Sequence, residues 1–126
     1  MFVKAIVLSL ALLLSGCSHW STETKVEEAV YQSLSAVDAA QTIQGLRQPC
    51  YSESNHVLGS HPSPAEVVGF RALVGGIHFA VTSMLEDQDA DLWVKRMWQG
   101  VFIFTEGRAV YMNWSLGATP VGATCP

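Results

Sequence analysis

Three polar side chains recur at intervals of seven residues in an otherwise apolar stretch near the C-terminal end of the chain: Gln99, Glu106 and Asn113. On a helix, this spacing aligns them along one side, two turns apart. Phe102 and Ala109 share that side, so the line is not plainly solvent-facing. The pattern therefore favours a buried polar seam, in which Glu106 needs a hydrogen-bonding or charged partner.

Other segments of the chain offer residues that can complete this seam: Asp38, Gln41, Thr42, Arg71 and His78. Arg71, Arg108 or His78 can serve as the partner of Glu106. Buried polar networks more often fix helix register than bind ligands, although both kinds of network perturb ionisable groups. We therefore expect a structural network, with a ligand or catalytic site as the alternative.

The histidines raise the question of a metal site. His56 and His61 lie in the middle of the chain near Glu53, and His78 follows in a later apolar stretch. Neither a two-histidine helical spacing nor a Cys-x-x-Cys pair is present. The sequence also has no Gly-rich phosphate loop and no G-x-S-x-G motif. We predict no metal, no cofactor and no catalytic residue.

The elements that position these residues are predicted to be helices. The first is expected over residues 25–44, with a buried stripe at helical spacing formed by Val26, Val30, Leu34, Val37 and Ala40. Gly45 and Pro49 end it. Residues 47–63 read as a loop because they are rich in proline, glycine, asparagine and serine.

The second helix begins with a clear local signal. Ser63 is the predicted N-cap, Pro64 takes the first helical position, and Glu66 completes a capping box. An apolar stripe predicts its buried face: Val67, Phe70, Val74, Ile77, Val81 and Leu85. Around the side of this stripe run Arg71, Gly75, His78 and Thr82.

The third helix is expected over residues 91–113, after a short acidic link that makes it an antiparallel neighbour of the second. Its middle, residues 98–104, is apolar on almost every side except at Gln99, so it is either centrally buried or near lipid. The predicted fold is an all-α antiparallel bundle of about three long helices over residues 25–117. Residues 118–126 are expected to be an irregular tail.

The N-terminal segment reads as a targeting signal. Lys4 precedes an apolar run of ten residues, which is too short to span a bilayer comfortably. The sequence Leu-Ser-Gly-Cys at residues 14–17 resembles the lipobox of bacterial lipoproteins. That resemblance implies a signal peptide over residues 1–16, palmitate-type acylation of Cys17 and a tether over residues 17–24. Membrane attachment facing the periplasm is expected, and Ser18, where Asp is absent, favours the outer membrane.

The two remaining cysteines, Cys50 and Cys125, can pair in an oxidising compartment or remain as thiols, and the sequence leaves both alternatives open. The formal charge of -4 provides no basic face for phosphates, so we predict no nucleic-acid partner.

The run ESNHVLGSHPS at residues 53–63 resembles the E-x-N-P-x-L-G-x-H-P-S signature of an uncharacterised family of small helical exported proteins from bacteria and their phages. His56 stands where that family usually has proline. The resemblance extends to other positions of this chain: Asp38, Gln41, Thr42, His78, Trp98, Gln99, Asn113 and Gly117. It implies a helical fold and an envelope location. It also implies that Glu53, Asn55 and His61 join the polar seam in one constellation.

The leading functional hypothesis is a non-enzymatic envelope lipoprotein that acts by protein–protein contact, such as a prophage-type exclusion of superinfecting phage. The loop over residues 49–62 is the predicted contact surface. The first alternative is a small metal- or ligand-binding enzyme using Glu53, His61, His78 and Glu106. The second is a structural membrane-associated protein.

Overall fold

A computed structural model describes residues 19–125 as three long helices followed by a small hairpin. Helix α1 spans Thr22–Gly45, α2 spans Pro64–Asp87 and α3 spans Leu92–Ser115. The predicted all-α bundle is confirmed. The predicted signal segment and Cys17 lie outside the described residues.

The direction of the helices follows from the contacts between them. Glu28 on α1 lies beside His78 on α2, whereas Asp38, further along α1, lies beside Arg71, earlier on α2. Helix α2 is therefore antiparallel to α1. Helix α3 runs parallel to α1, because Arg96 pairs with Glu27 near their first turns and Asn113 meets Asp38 near their last.

The helix ends agree with the sequence to within a few residues. The capping box of α2 is present, with Ser63 Oγ accepting from the Glu66 amide and the Glu66 carboxylate accepting from the Ser63 amide. Helix α1 begins three residues earlier than expected, because Ser21 caps it by accepting from the Thr24 amide at 3.1 Å.

The C-terminal segment differs from the irregular tail that the sequence suggested. Strands β1, Ala118–Thr119, and β2, Gly122–Ala123, form an antiparallel hairpin in which Ala118 lies opposite Ala123. The hairpin packs on α1, where the Gln41 amide nitrogen donates to the carbonyls of Val110 and Ala118 at 3.2 and 3.1 Å. Gly117 turns the chain into it with φ of 89°, a conformation that favours glycine.

The interior of the bundle is mainly polar, and this overturns part of the predicted core. The buried face of α1 is formed chiefly by Thr24, Glu28, Tyr31, Ser35, Asp38 and Gln41, while Val26 and Val30 are exposed. On α2, Val67 is buried as expected, but Ile77 is exposed and Gly75, His78 and Thr82 face inward. On α3, Gln99 is the one fully buried residue.

These polar faces meet because many of their groups pair with one another across the helices. A buried polar group is costly mainly when it lacks a hydrogen-bond partner, and Glu28, Asp38 and Gln99 each find a partner on another helix. Helical periodicity correctly grouped the residues that share a face. It wrongly placed Val26, Val30 and Ile77 in the core, because it ranks faces by hydrophobicity and does not count the partners that a polar face finds.

As a result, apolar side chains project outward from all three helices, and the largest of them lie on α2 and α3. We call these regions the outer faces. The outer face of α2 consists of Gly69, Leu73, Gly76, Ile77, Ala80 and Met84, and that of α3 consists of Trp93, Met97, Gly100, Phe104 and Tyr111. Leu73 is 62% exposed, Trp93 67% and Phe104 70%.

Candidate functional site

The first of two polar clusters lies in the half of the bundle that contains the start of α1. It consists of Glu28, His78, Thr82 and Gln99, all buried, and we call it the histidine cluster. Glu28 Oε2 is 2.9 Å from His78 Nδ1, close enough for an ion pair, although the angle is not that of a hydrogen bond. The same oxygen accepts from Thr82 Oγ1 and from Gln99 Nε2, each at 3.2 Å.

Aromatic rings enclose this cluster. The His78 ring stacks on Trp98 with centroids 5.1 Å apart and lies 3.9 Å from the Tyr31 ring. Phe102 closes another side, with its ring 4.7 Å from His78. Because these rings surround the cluster and Glu28, Thr82 and Gln99 are hydrogen-bonded to one another, the histidine cluster has the character of a structural core.

Glu28 is the acidic centre of the histidine cluster. Burial alone would raise the pKa of its carboxyl group, but the close polar contact with His78 and its charge, together with hydrogen bonds from Gln32 and Gln99, bring that pKa below its ordinary value. The Gln32 amide nitrogen donates to Glu28 Oε1 at 2.7 Å and to the Gly75 carbonyl at 3.0 Å. The ionised form of Glu28 is therefore favoured.

We expect the stability of the chain to depend on this ionisation. A lowered pKa in the folded state contributes stability above the ordinary pKa of the group, and this contribution is lost as the pH falls through the folded-state value. Glu28→Gln should therefore destabilise the chain at neutral pH, and the difference from wild type should shrink under acid conditions. Urea unfolding of both proteins at a series of pH values from neutral to acid measures this difference in stability. A difference that is constant with pH would contradict an ionic role.

The second cluster lies further along α1. Asp38, Arg71, Glu106 and Asn113 form what we call the arginine cluster. The Arg71 guanidinium donates to Asp38 Oδ2 and, at 2.7 Å, to Glu106 Oε1. Asn113 Nδ2 donates to Asp38 Oδ1 at 2.7 Å. One cation thus joins two carboxylates from different helices, the buried Asp38 and the largely buried Glu106.

Burial dominates the electrostatics of the arginine cluster. Desolvation raises the pKa of both Asp38 and Glu106, and the positive charge of Arg71 offsets only part of that effect. The neighbouring Tyr31 hydroxyl is fully buried, and burial together with the charge of Glu106 raises its pKa to about 12. Arg71 therefore lowers the free-energy cost of burying these two carboxylates.

The loop between α1 and α2, residues 46–63, carries the family-like signature, and we call it the signature loop. It is held in place by its own side chains. Glu53 Oε1 accepts from the Asn55 amide at 2.8 Å, and Asn55 Oδ1 accepts from the Val57 amide at 3.0 Å. Gly59 has φ of 75°, which favours glycine. Cys50 is joined to Cys125, and Tyr51 donates to the Leu116 carbonyl, so the loop is fastened to the end of α3 and to the tail.

A cavity of about 430 Å³ lies between this loop and the helices. Asp38 and Arg71 of the arginine cluster line it, together with Asn113. The loop contributes residues 51–55, and α3 contributes Arg108, Ala109 and Met112. The signature loop and the arginine cluster meet at this cavity.

The structure divides the constellation expected from the sequence. Asp38, Glu53, Asn55 and Asn113 line the cavity. Glu106 is linked to them through Arg71. His78 and Gln99 belong to the histidine cluster, and Gln41 ties α1 to the hairpin. His61 is exposed beside Ser60, 3.1 Å from its hydroxyl oxygen.

The four residues of the alternative enzyme do not surround one pocket. Glu53 lines the cavity, His61 is exposed, His78 is enclosed by aromatic rings, and Glu106 pairs with Arg71. Within residues 19–125, no group of three or more His, Cys, Asp or Glu side chains is arranged to hold a metal ion.

Sequence reasoning missed Glu28, Gln32 and Thr82 as members of a network. A signal for part of it exists, because Thr24, Glu28, Tyr31, Ser35, Asp38 and Gln41 recur at intervals of three or four residues. This polar stripe is as regular as the apolar one that was preferred to it. Arg71, in contrast, was among the expected partners of Glu106.

Comparisons with family models, curated proteins and solved structures find no match to this chain.

Proposed function

We propose that this chain is a lipid-anchored envelope protein that acts by binding another protein through the outer faces of α2 and α3. The observation that carries the proposal is the reversed distribution of side chains. The helices bury carboxylates, amides and a histidine, while Leu73, Trp93 and Phe104 face outward. Exposed apolar surface of this extent is typical of interaction sites.

The apolar side chains on these faces are large enough to supply a stable contact. Fully burying one Leu, Phe or Met side chain contributes about 1.5–3 kcal/mol. A micromolar affinity corresponds to about 8 kcal/mol, after the costs of association have been met. A partner that covers Leu73, Trp93 and Phe104 together with their apolar neighbours therefore has sufficient surface to bind.

The shape of the outer faces favours a protein over lipid chains. A methyl group added at Gly76 or at Gly100 would meet no atom within 4 Å, so neither glycine is needed for packing within the described part of the chain. A glycine inside a helix costs about 1 kcal/mol relative to alanine. Notches between large side chains allow the backbone of a partner to approach closely, and fluid lipid has no need of such notches.

The N-terminal segment supports a location at a membrane. The expected lipid site, Cys17, lies two residues before His19, whose imidazole is 2.6 Å from Asp87 at the end of α2. Acyl chains on Cys17 would hold this end of the bundle at the bilayer, since each buried methylene contributes about 0.8 kcal/mol. Tethering raises the effective concentration of the bundle near other envelope proteins.

Exclusion of superinfecting phage is the finer role that we propose within this class. A small tethered domain with an apolar docking face has the size and location needed to obstruct a receptor or an entry pore. Cells that produce the chain should then resist a phage that uses the bound receptor. Unchanged sensitivity to a broad phage panel, despite a confirmed protein partner, would remove this role and leave the contact function intact.

A structural role in the membrane is the second candidate. Among the described residues, α2 is long and apolar enough to cross a bilayer, as judged by length and composition alone. In that case, lipid rather than protein would cover the outer faces.

We expect single polar substitutions on the outer faces to abolish co-purification of the partner. Leu73→Gln and Phe104→Gln each remove an exposed apolar anchor and touch neither polar cluster, so the fold should persist. The matched control is Val57→Gln, because Val57 is 79% exposed and lies on the loop that the sequence suggested as the contact surface. Tagged full-length chain is recovered from crosslinked envelopes. Loss of the partner only with Val57→Gln would move the contact to the loop.

A further inference from the structure

The cavity between the signature loop and the arginine cluster has charges available for a ligand. Four charged side chains line it, the acidic Asp38 and Glu53 and the basic Arg71 and Arg108. Both oxygens of Asp38 are occupied, by Arg71 and by Asn113, and Arg71 is shared between two carboxylates. Within the described residues, Glu53 and Arg108 form no ion pair.

We propose that this cavity binds a small zwitterion, an amino acid or short peptide with a free amine and a free carboxylate. Glu53 receives the ammonium group, and Arg108 receives the carboxylate. The proposal does not depend on the protein contact made by the outer faces, because neither residue belongs to them.

Glu53 is positioned to bind an ammonium group. Its Oε1 is held by the Asn55 amide, which leaves Oε2 without a described partner and directs the carboxylate from a fastened loop. Asp38 adds a second carboxylate to the lining of the same cavity. Asp38 and Glu53 are both carboxylates, and Arg71 is already paired with Asp38 and Glu106. This part of the cavity therefore favours a positive ligand group and disfavours a simple anion.

Arg108 supplies the opposite charge from α3. It is exposed at the cavity, and a guanidinium presents a planar fork of donors that matches a carboxylate. A simple cation would leave this arginine unused. The lining carries two formal charges of each sign, so a ligand with both signs fits it better than either ion alone.

The remaining lining suits a peptide. Ser52, Ser54 and the Asn55 side-chain nitrogen have no described hydrogen-bond partner and can bind an amide, while Met112 and Leu116 provide apolar contact. The volume of about 430 Å³ is at the small end of the range for ligand pockets, about 300–1,000 Å³. A long polymer would not be enclosed.

The position of the cavity favours a free ligand over a phospholipid headgroup of the anchoring membrane. Thr42 lines the cavity, and it lies twenty residues along α1 from Thr22. At 1.5 Å per residue, this places the cavity about 30 Å from the end that carries the expected lipid. Headgroups of the same bilayer are held at the opposite end.

Calorimetric titration of the full-length chain in detergent micelles with dialanine tests the proposal. We expect saturable binding that weakens about tenfold when the amine is acetylated or the carboxylate is amidated, because each change removes one charge-assisted hydrogen bond. Glu53→Gln should weaken dialanine about tenfold and lose the discrimination against the acetylated form. Arg108→Gln should lose the discrimination against the amide. Glu53→Gln keeps the oxygen that accepts from Asn55, so the loop should persist.

Arg47→Gln is the matched control, since Arg47 is an exposed cation at the same end of the bundle and does not line the cavity. It should leave binding unchanged. Glycerophosphoethanolamine is titrated in parallel, and tighter binding of it than of dialanine would replace the peptide by a lipid headgroup. No saturable heat at millimolar dialanine, or equal binding of the two blocked forms, would overturn the proposal.

Discussion

Replacing Arg71 with methionine should lower the free energy of unfolding by about 3–5 kcal/mol, the usual cost of removing one partner from a buried ion pair. Arg71 is the cation that Asp38 and Glu106 share, and the Asp38 side chain is only 3% exposed. Methionine retains much of the apolar stem but leaves two carboxylates inside the bundle without a positive charge. Urea unfolding at neutral pH, followed by circular dichroism, measures the loss.

The pH dependence of this loss provides a second check. The pKa values of Asp38 and Glu106 are raised in the folded state, so their contribution to stability is present at low pH and is lost as the pH rises through those values. Protonation removes the unpaired charges in Arg71→Met, and the difference from wild type should narrow in acid. Arg108→Met, at an exposed arginine without a described ion pair, should stay within about 0.5 kcal/mol of wild type. Equal effects of the two substitutions would show that the arginine cluster is not buried.

Removing the disulfide should have an effect of similar size. The bond between Cys50 and Cys125 closes a loop with a sequence separation of 75. Cross-linking so long a loop restricts the unfolded chain and stabilises the fold by about 4 kcal/mol in the chain-entropy model. Cys50→Ser combined with Cys125→Ser should lower the midpoint of urea unfolding accordingly, because the signature loop and the tail are then free to separate.

The control for this variant is wild-type chain treated with reductant. It should unfold at the same urea concentration as the double variant, and reductant should not change the double variant further. If oxidised and reduced wild type unfold together, the bond does not restrict the unfolded chain, and the hairpin contacts of Gln41 hold the tail by themselves.

The helices were predictable because their signals are local. Ser63, Pro64 and Glu66 define the start of α2 through a capping box that needs no information from the rest of the chain. The disulfide was only one of two alternatives in the sequence, because pairing depends on where the fold places two distant cysteines. The hairpin of the tail was not predicted, since its two-residue strands carry no alternating pattern.

Hydrophobicity alone did not predict which residues of each helix face the interior of the bundle. Glu28, Asp38 and Gln99 are buried because each finds its partners on another helix, and sequence periodicity contains no information about such pairings. The candidate site was predictable in part for the same reason. The seven-residue spacing brought Glu106 and Asn113 to one side of α3, but only the fold shows that Gln99 belongs to a different cluster.

The polar interior and the apolar exterior are two consequences of one arrangement. Side chains that hydrogen-bond across the bundle occupy the inward faces of all three helices, so apolar residues between them are turned outward. A monomer in water pays for this arrangement with exposed tryptophan and phenylalanine. A bound partner removes that cost, which links the polar clusters to the contact that we propose.

Site-specific photocrosslinking in living cells tests that contact most directly. A photoreactive phenylalanine analogue is placed at Phe104 or Leu73 on the outer faces, and at Ser33, an exposed polar position on α1, as the control. We expect one discrete protein adduct of an envelope component from the two outer-face positions and none from Ser33. Adducts with lipid only, or with a second copy of this chain only, would contradict contact with another envelope protein.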